Sequence, residues 1–316
     1  MLIIGLGQIG MGYDMHLPPE THVYTHARAF HLHPSFHLVG AVDPDKRKCS
    51  QFEETYHVPG FVSLNEALDI LSVDVVVIAS PTQFHGEILF EVLKLCQPKA
   101  VMCEKPLSYD VEEGRRMVQM CETQSVALYV NYMRRSDPGA ITVKQMIDSG
   151  EVGGTIKGVA WYSKGFLHNG SHFFNLLEYW LGEVQKIEVL DAGRSWNDMD
   201  PEPDVRVVFD KGIVVFFAAW EEAFSHYTIE LLSPNGRLRY EREGALIEWQ
   251  SVEADAVFEG YRTLACSPMR IETDMTRFQM NVVAQLANAI EGNGKSWLCT
   301  GSQALNTIEV MSEAVL

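Results

Sequence analysis

Leu2-Ile3-Ile4-Gly5-Leu6-Gly7-Gln8-Ile9-Gly10 decides how this chain is read. Three apolar residues form a short strand that runs straight into glycines spaced G-x-G-x-x-G. In a dinucleotide fold each glycine has its own task. Gly5 permits the tight turn. Gly7 has no Cβ and lets the backbone approach a pyrophosphate. Gly10 permits close packing of the next helix on the sheet. Amides around Gln8 and Ile9 then face the negative phosphates. Ordinary glycine turns share the spacing, but the strand directly before it favours the cofactor reading. The strand has almost no lead-in, as expected where a nucleotide-binding unit begins or where a start has been trimmed.

With 316 residues the chain has room for one large or two ordinary domains. A hydrophobic share of 47% provides a proper core. The net charge of −17 argues against nucleic acid or an anionic membrane as partner, so an anionic ligand needs a local basic pocket. Cys49, Cys96, Cys103, Cys121, Cys266 and Cys299 are scattered without a C-x-x-C pair. They read as reduced thiols of a cytoplasmic protein, not as a disulfide framework or a zinc site. The start lacks the basic region and cleavage site of a signal peptide. No apolar run approaches the ~18 residues of a membrane helix. Six histidines crowd residues 16–37, but their spacing fits no ligand set and Pro34 divides them. No metal is expected, and these histidines read as solvated or helix-face residues.

In order, residues 13–24 carry Pro18 and Pro19 and read as a loop, with a helix from Thr25 to before Pro34. The third glycine is therefore not expected to open the long helix. His37-Leu38-Val39-Gly40-Ala41-Val42-Asp43 reads as the second strand, ending in an acid that would bond adenosine ribose hydroxyls and repel a 2′-phosphate. A strand-end Asp before Pro44 also fits a simple turn, and Lys46 and Arg47 soften the bias against a phosphate. Helices at 44–56, 63–71, 84–95 and 111–124 alternate with strands at 58–62, 74–79, 100–103 and 126–130. This alternation predicts a doubly wound parallel sheet over residues 1–131. Ligands of such sheets sit beyond the carboxyl ends of strands, where Asp43, Thr82, Lys105 and Asn131 fall. From 132 to 316 the pattern changes. A helix at 141–149 closes at Gly150. Strands follow at 156–163, 186–192, 205–209, 213–220, 226–233, 238–242 and 246–250, reading as one largely antiparallel sheet. Helices at 277–291 and 303–315 end the chain. The fold class is α/β, an N-terminal Rossmann unit plus a C-terminal α+β domain.

Cys103-Glu104-Lys105-Pro106 aims a lysine from a strand end into the expected cleft, with a proline that restricts it and a candidate cis bond. Partly desolvated, such a lysine donates to a substrate oxygen or passes a proton. The residues fit a solvated lysine in a turn equally well. Taken together, Gly5 to Gly10, Glu104-Lys105-Pro106, Asn131-Tyr132-Met133-Arg134-Arg135-Ser136-Asp137-Pro138 and Met146-Ile147-Asp148-Ser149-Gly150-Glu151-Val152-Gly153 resemble the Gfo/Idh/MocA oxidoreductases, in order along the whole chain. The resemblance implies NAD, with NADP the lesser expectation, in the first domain. Gly5, Gly7, Gln8, Ile9, Gly10 and Asp43 are the implied cofactor residues, with Ser80, Pro81, Thr82, His85, Glu104 and Lys105 at the following strand ends. It implies hydride transfer between that cofactor and a hydroxyl or carbonyl of a sugar, cyclic polyol or nucleotide sugar. It also implies an open C-terminal sheet with helices on one face and an oligomer contact, homodimer or homotetramer, on the other.

The family's second catalytic segment, Asp-x-Gly-x-His-x-x-Asp, resembles His168-Asn169-Gly170-Ser171-His172-Phe173-Phe174-Asn175. His172 matches the general acid/base, a role that suits an imidazole. A structural histidine in a first helical turn also fits. His168 and Asn175 replace the two aspartates, which puts the usual proton relay in doubt and leaves His168 as a possible proton carrier. Gly170 separates the two histidines, so they need not share a helical face. Arg134, Arg135 and Lys164 supply positive charge for a substrate carboxylate or phosphate, and Asn175 joins them as a substrate residue; unrelated surface cations fit as well. Trp161, Tyr162, Trp180 and Trp220 are sugar-stacking candidates or core. A non-catalytic dinucleotide sensor of the same fold is the competing function.

Overall fold

The computed structural model describes residues 1–197 and 200–315. Strands β1 (Leu2–Ile4), β2 (Gly40–Val42), β3 (Gly60–Phe61), β4 (Val75–Ile78), β5 (Ala100–Cys103) and β6 (Ala127–Val130) alternate with helices α1 (His26–Leu32), α2 (Lys46–Tyr56), α3 (Leu64–Ile70), α4 (His85–Leu95) and α5 (Val111–Thr123). Then come α6 (Pro138–Ser149), β7 (Ile156–Tyr162), α7 (Ser171–Leu181), β8 (Val184–Trp196), β9 (Asp200–Phe209), β10 (Gly212–Ala218), β11 (Thr228–Ser233), β12 (Gly236–Glu241), β13 (Leu246–Ala254), β14 (Arg262–Leu264) and β15 (Met269–Ile271). The chain closes with α8 (Phe278–Glu291), β16 (Cys299–Thr300) and α9 (Gly301–Ser312). Side-chain caps start the helices where the sequence offers them. Thr25 accepts from the Arg28 amide, Ser63 from Glu66 and Asp110 from Glu113. Gly150, at φ +83°, ends α6 in the left-handed region.

The chain forms two compact units. One comprises Met1–Ser136 with Thr276–Ile308, and the other Asp137–Met275 with Glu309–Leu316. The first therefore takes up a late segment that the sequence reading had left with the C-terminal half. Its sheet runs β16-β6-β5-β4-β1-β2-β3, all pairs parallel except β16 on β6. Alternate strand residues feed opposite faces, as expected for strands buried on both sides. Leu2, Ile4, Val76 and Ile78 pack with Leu89, Val92, Met117 and Val118 of α4 and α5. Ile3, Val75, Val77 and Met102 pack with Phe30, Phe52 and Val282, Val283 and Leu286 of α8. The apolar stripe of α8 thus covers a face that α1 and α2 leave incomplete, which is why the late segment belongs here.

The second unit carries a sheet ordered β14-β13-β12-β11-β7-β10-β9-β8, with β15 also on β13. Its pairs are antiparallel apart from β7 with β10, so the sheet is mixed, mostly antiparallel. Alternation along β9 to β13 turns Val207, Phe209, Val214, Phe216, Leu231, Leu238 and Tyr240 inward. The aromatic stripe of α7 meets them. Phe174 lies 5.6 Å from Phe216 and Trp180 lies 5.8 Å from Tyr240, ring centre to ring centre. Trp180 also donates to the Ala140 carbonyl at 3.0 Å, tying α7 to α6. Trp180 and Tyr162 are therefore core. Strands β8 and β9 are longer than their apolar runs because the pairing continues through irregular register to Trp196 opposite Asp200.

The glycine-rich segment differs from expectation in one respect. Residues Gln8–Gly12 form a single π-helical turn that starts after Gly7 and contains Gly10, well before α1. The loop between them is held by buried Asp14, whose carboxylate accepts from the amides of Tyr24 and Thr25 and from the Thr25 hydroxyl. A Cβ on Gly10 would lie 2.1 Å from the Gly5 carbonyl oxygen, so Gly10 packs against the turn itself. Gly10→Ala should therefore lower the unfolding free energy by about 3 kcal/mol, the upper range for overpacking. Urea denaturation measures this, and an unchanged midpoint would show that the turn adapts freely.

Candidate functional site

The first unit gathers its polar groups at the carboxyl ends of the parallel strands. Gly5, at φ +102°, turns the chain, and a Cβ there would lie 2.7 Å from the Ala79 backbone. Gly7 is different, since a Cβ would meet nothing within 4 Å. The turn is thus tight where it packs on β4 and open at its middle glycine. The turn's own bonds begin with the Met11 and Gly12 amides returning to the Gly7 carbonyl. Gln8 is exposed and Ile9 partly so.

Asp43 ends β2 and is 5% exposed. Its Oδ2 accepts from the Leu6 amide at 2.8 Å and from Lys48 Nζ at 3.2 Å, and its Oδ1 accepts from the Asp45 amide at 2.9 Å. The acid therefore fixes the glycine turn, and Lys48, which sequence reasoning passed over, is its counter-charge. Beyond β4, Pro81 is exposed and Thr82 buried at the start of a short 3-10 turn. His85 opens α4 fully buried, its Nε2 3.0 Å from the Ser80 carbonyl and its Nδ1 3.2 Å from those of Pro106 and Leu107. Burial holds its pKa below the ordinary imidazole value against the pull of those carbonyls. The histidine thus braces the β4 loop against the Glu104-Lys105-Pro106 turn, where the Lys105–Pro106 bond is cis.

Glu104 is buried and faces inward, while Lys105 is partly exposed. His26 Nε2 lies 2.8 Å from Glu104 Oε1, and Asn131 Nδ2 donates to the same oxygen at 2.6 Å. Burial pushes the Glu104 carboxyl up, but the bonds from His26 and Asn131 and the charge of Lys105 bring it below the usual carboxylate range. Glu104 is thus engaged within the protein. Arg134 and Arg135 lie in a 3-10 turn, Met133–Ser136, and are buried, not the surface pair that their sequence also allowed. Arg135 donates to Gln303 at 3.1 Å. The Ser80 hydroxyl and Asn131 Oδ1 are buried at strand ends without a hydrogen-bond partner among the described residues.

In the second unit, residues Gly165–Gly170 form a π-helical turn that continues into α7 through helical Gly170, so Gly170 does not break the path between His168 and His172. His172 and Asn175 are buried on α7. The His168 ring stacks on Trp196 with centres 5.0 Å apart. Asp200 of β9 accepts from the amides of Leu167 at 2.9 Å and His168 at 2.7 Å, and Glu202 accepts from Gly165 at 3.0 Å. Burial raises the Asp200 pKa and these amide bonds moderate it. Lys164 lies 3.3 Å from Glu221, and its pKa is raised because neighbouring Tyr227 and Glu221 outweigh burial. Sequence reasoning missed Asp200 and Glu202, which lie more than thirty residues downstream. They precede the strand read at 205–209, in a stretch broken by Pro201 and Pro203, so no local signal marked them. Among the described residues no cluster fits a metal ion, and no helix is long and apolar enough to cross a membrane.

A doubly wound unit with a glycine turn, an acid ending β2 and a lysine ending β5 defines a Rossmann-type nucleotide-binding class. Residues 1–132 match the family model described as "Oxidoreductase family, NAD-binding Rossmann fold". Residues 1–132 thus carry the nucleotide-binding unit of the Gfo/Idh/MocA oxidoreductase family. It is 26% identical over 215 residues to an inositol 2-dehydrogenase of Rubrobacter xylanophilus, covering 67% of this chain and 59% of that protein. It is 30% identical to the Leifsonia xyli inositol 2-dehydrogenase, covering 64% and 59%. The chain thus spans about six-tenths of these relatives' length. Its fold matches the Bordetella pertussis WlbA dehydrogenase in complex with NADH and UDP-GlcNAcA, with a TM-score of 0.76 at 17% identity, covering 99% of this chain and 94% of that one.

The Asp200 carboxylate is what holds the turn before α7. Asp200→Ala strands two amides and should cost about 2–3 kcal/mol of stability. Asp200→Asn keeps one acceptor and should cost less. Chemical denaturation ranks the variants, and equal stability of all three proteins would remove that role.

Proposed function

We propose that this chain is a nicotinamide-dinucleotide oxidoreductase acting on a CH–OH group of a cyclic polyol, sugar or nucleotide sugar. The observation that carries the reading is the glycine turn, closed against β4 at Gly5 and open at Gly7, with Lys105 following β5 on the other side of β4. The buried hydroxyl of Ser80 and carbonyl oxygen of Asn131, both without a hydrogen-bond partner among the described residues, fit a polar ligand at these strand ends. The inositol dehydrogenase relatives and the sugar-nucleotide complex of the structural match support the substrate class.

When bound, the nicotinamide accepts or returns the hydride. The protein's tasks are to bind, orient and move a proton. The glycine turn, residues 5–10, would hold the pyrophosphate on backbone amides beyond Leu6, since those of Gly5 and Leu6 are bonded to Val42 and Asp43. Lys105 donates from its ammonium to the substrate oxygen, which stabilises charge developing there. His172 takes the hydroxyl proton as the alcohol is oxidised and returns it in the reverse direction. His168 serves the same segment through its stacking on Trp196, and Arg134, Arg135, Lys164 and Asn175 are proposed to receive the substrate's polar groups. The proposal includes NAD as the preferred cofactor, a cytoplasmic setting on the strength of the scattered thiols, and self-association through the open sheet face.

The test is absorbance of reduced nicotinamide while purified protein meets NAD with inositols, hexoses and UDP-sugars. Turnover of one class is expected, and binding of dinucleotide without turnover of any would favour the sensor reading. Lys105→Ala should lower turnover by about 10²-fold or more while leaving NAD affinity within a few-fold. Loss of NAD binding with turnover retained at saturating cofactor would contradict the lysine's role. The cofactor preference has its own test. Lys48 offsets the negative charge of Asp43, so Lys48→Ala should widen the ratio of NADP to NAD dissociation constants. Fluorescence titration with NADH and NADPH reads the ratio, and a narrower ratio would sink the charge argument.

A further inference from the structure

The four side chains beneath Lys105 form a closed ring of hydrogen bonds within the first unit. His26 Nε2 meets Glu104 Oε1 at 2.8 Å, and Asn131 Nδ2 meets the same Oε1 at 2.6 Å. The same Asn131 Nδ2 meets Gln279 Oε1 at 3.1 Å, and Gln279 Nε2 meets His26 Nδ1 at 2.9 Å. All four residues are buried, His26 and Gln279 completely. His26 stands in the first turn of α1, Glu104 after β5, Asn131 after β6 and Gln279 in the first turn of α8. The ring therefore ties two strand ends to two helix starts.

A closed ring restricts protonation because each link needs one donor and one acceptor. An ionised Glu104 only accepts, so Asn131 must turn its NH₂ toward it. That NH₂ also faces Gln279, which must then present its carbonyl oxygen to Asn131 and its NH₂ to His26. His26 Nδ1 must accept, so its ring proton sits on Nε2 and is donated to Glu104. An imidazolium would set an N–H against the Gln279 NH₂. Relieving that clash by flipping Gln279 sets two NH₂ groups together, and flipping Asn131 as well sets its oxygen against the carboxylate. A buried histidine 2.8 Å from a carboxylate would otherwise form an ion pair. Here the amides oppose it.

We propose that this ring holds His26 as the neutral Nε2–H tautomer and Glu104 as an uncompensated carboxylate, so that the buried negative charge is left to act on the adjacent Lys105. Gln279 and His26 are then positioning residues, reaching Lys105 only through Glu104. In what concerns Lys105, the inference rests on the catalytic use of that lysine proposed above. The ring keeps the lysine an ammonium with a fixed partner charge, suited to steadying a substrate oxygen rather than to acting as a free base.

Long-range proton–nitrogen NMR of the full-length protein, with imidazoles labelled and His26 assigned through His26→Gln, tests the ring. The expected His26 pattern at neutral pH is one protonated Nε2 and one lone-pair Nδ1. An imidazolium, or a proton on Nδ1, would overturn the proposal. Gln279→Glu supplies an acceptor at Nδ1 and should convert His26 to the imidazolium, with the new carboxylate balancing the new cation. In Glu104→Gln, which removes the ring's negative charge, the Lys105 amine, followed by its own labelled resonance and assigned through Lys105→Arg, should titrate at lower pH than in the wild type. An unmoved Lys105 titration in Glu104→Gln would refute the coupling. If Gln279→Glu does not fold, the wild-type spectrum decides the tautomer by itself. A neutral His26 in a protein that oxidises no polyol would support the ring while refuting the proposed function, so the two failures are distinct.

Discussion

The 2.8 Å bond from the Leu6 amide to the Asp43 carboxylate is the contact on which the nucleotide-binding end of this protein depends. It joins the turn after β1 to the end of β2, two parallel neighbours whose registers place Ile4 opposite Val42. Without it the turn has a buried amide to satisfy and no fixed orientation. With it, Gly5 is pressed against the Ala79 backbone and Gly7 is left facing open space. One carboxylate thus holds the glycine turn and the start of the segment after β2. Lys48 at 3.2 Å keeps the buried charge tolerable.

The same economy recurs at the other strand ends. His85 spans the β4 loop and the turn after β5 with its two ring nitrogens. Glu104 closes a ring that reaches α1 and α8. Side chains that look like ligand contacts in the sequence are, in the fold, the braces that position their exposed neighbours. Lys105 is partly exposed between buried Glu104 and Pro106. The second unit repeats the pattern at smaller scale, with Asp200 and Glu202 holding the backbone of the turn that leads to His172.

What the sequence made legible was local. The glycine spacing, the apolar four-residue runs and the helix caps each lie within a few residues, so the α/β alternation and the ends of β4, β5 and β6 could be read directly. The ring could not, because its members are separated by 78, 148 and 253 positions along the chain. His26 sat in a run of six histidines that read as solvated or helix-face residues, and Gln279 carried no signal. The late segment 276–308 was misplaced for a similar reason, since the apolar stripe of α8 does not say which sheet it covers. Arg134 and Arg135 were visible as charge but not as buried groups, because only the tertiary turn closes over them.

The central claim is that a nicotinamide dinucleotide lies on the glycine turn and along the strand ends of the first unit. Hydrogen–deuterium exchange of the full chain with and without NADH tests it most directly, because amide protection maps contact without any assumption about substrate. Slowed exchange is predicted at residues 5–12, at 43–45 and around 80–84 and 104–105, with the sheet interior unchanged. Protection confined to other segments, or none at saturating NADH, would contradict the account.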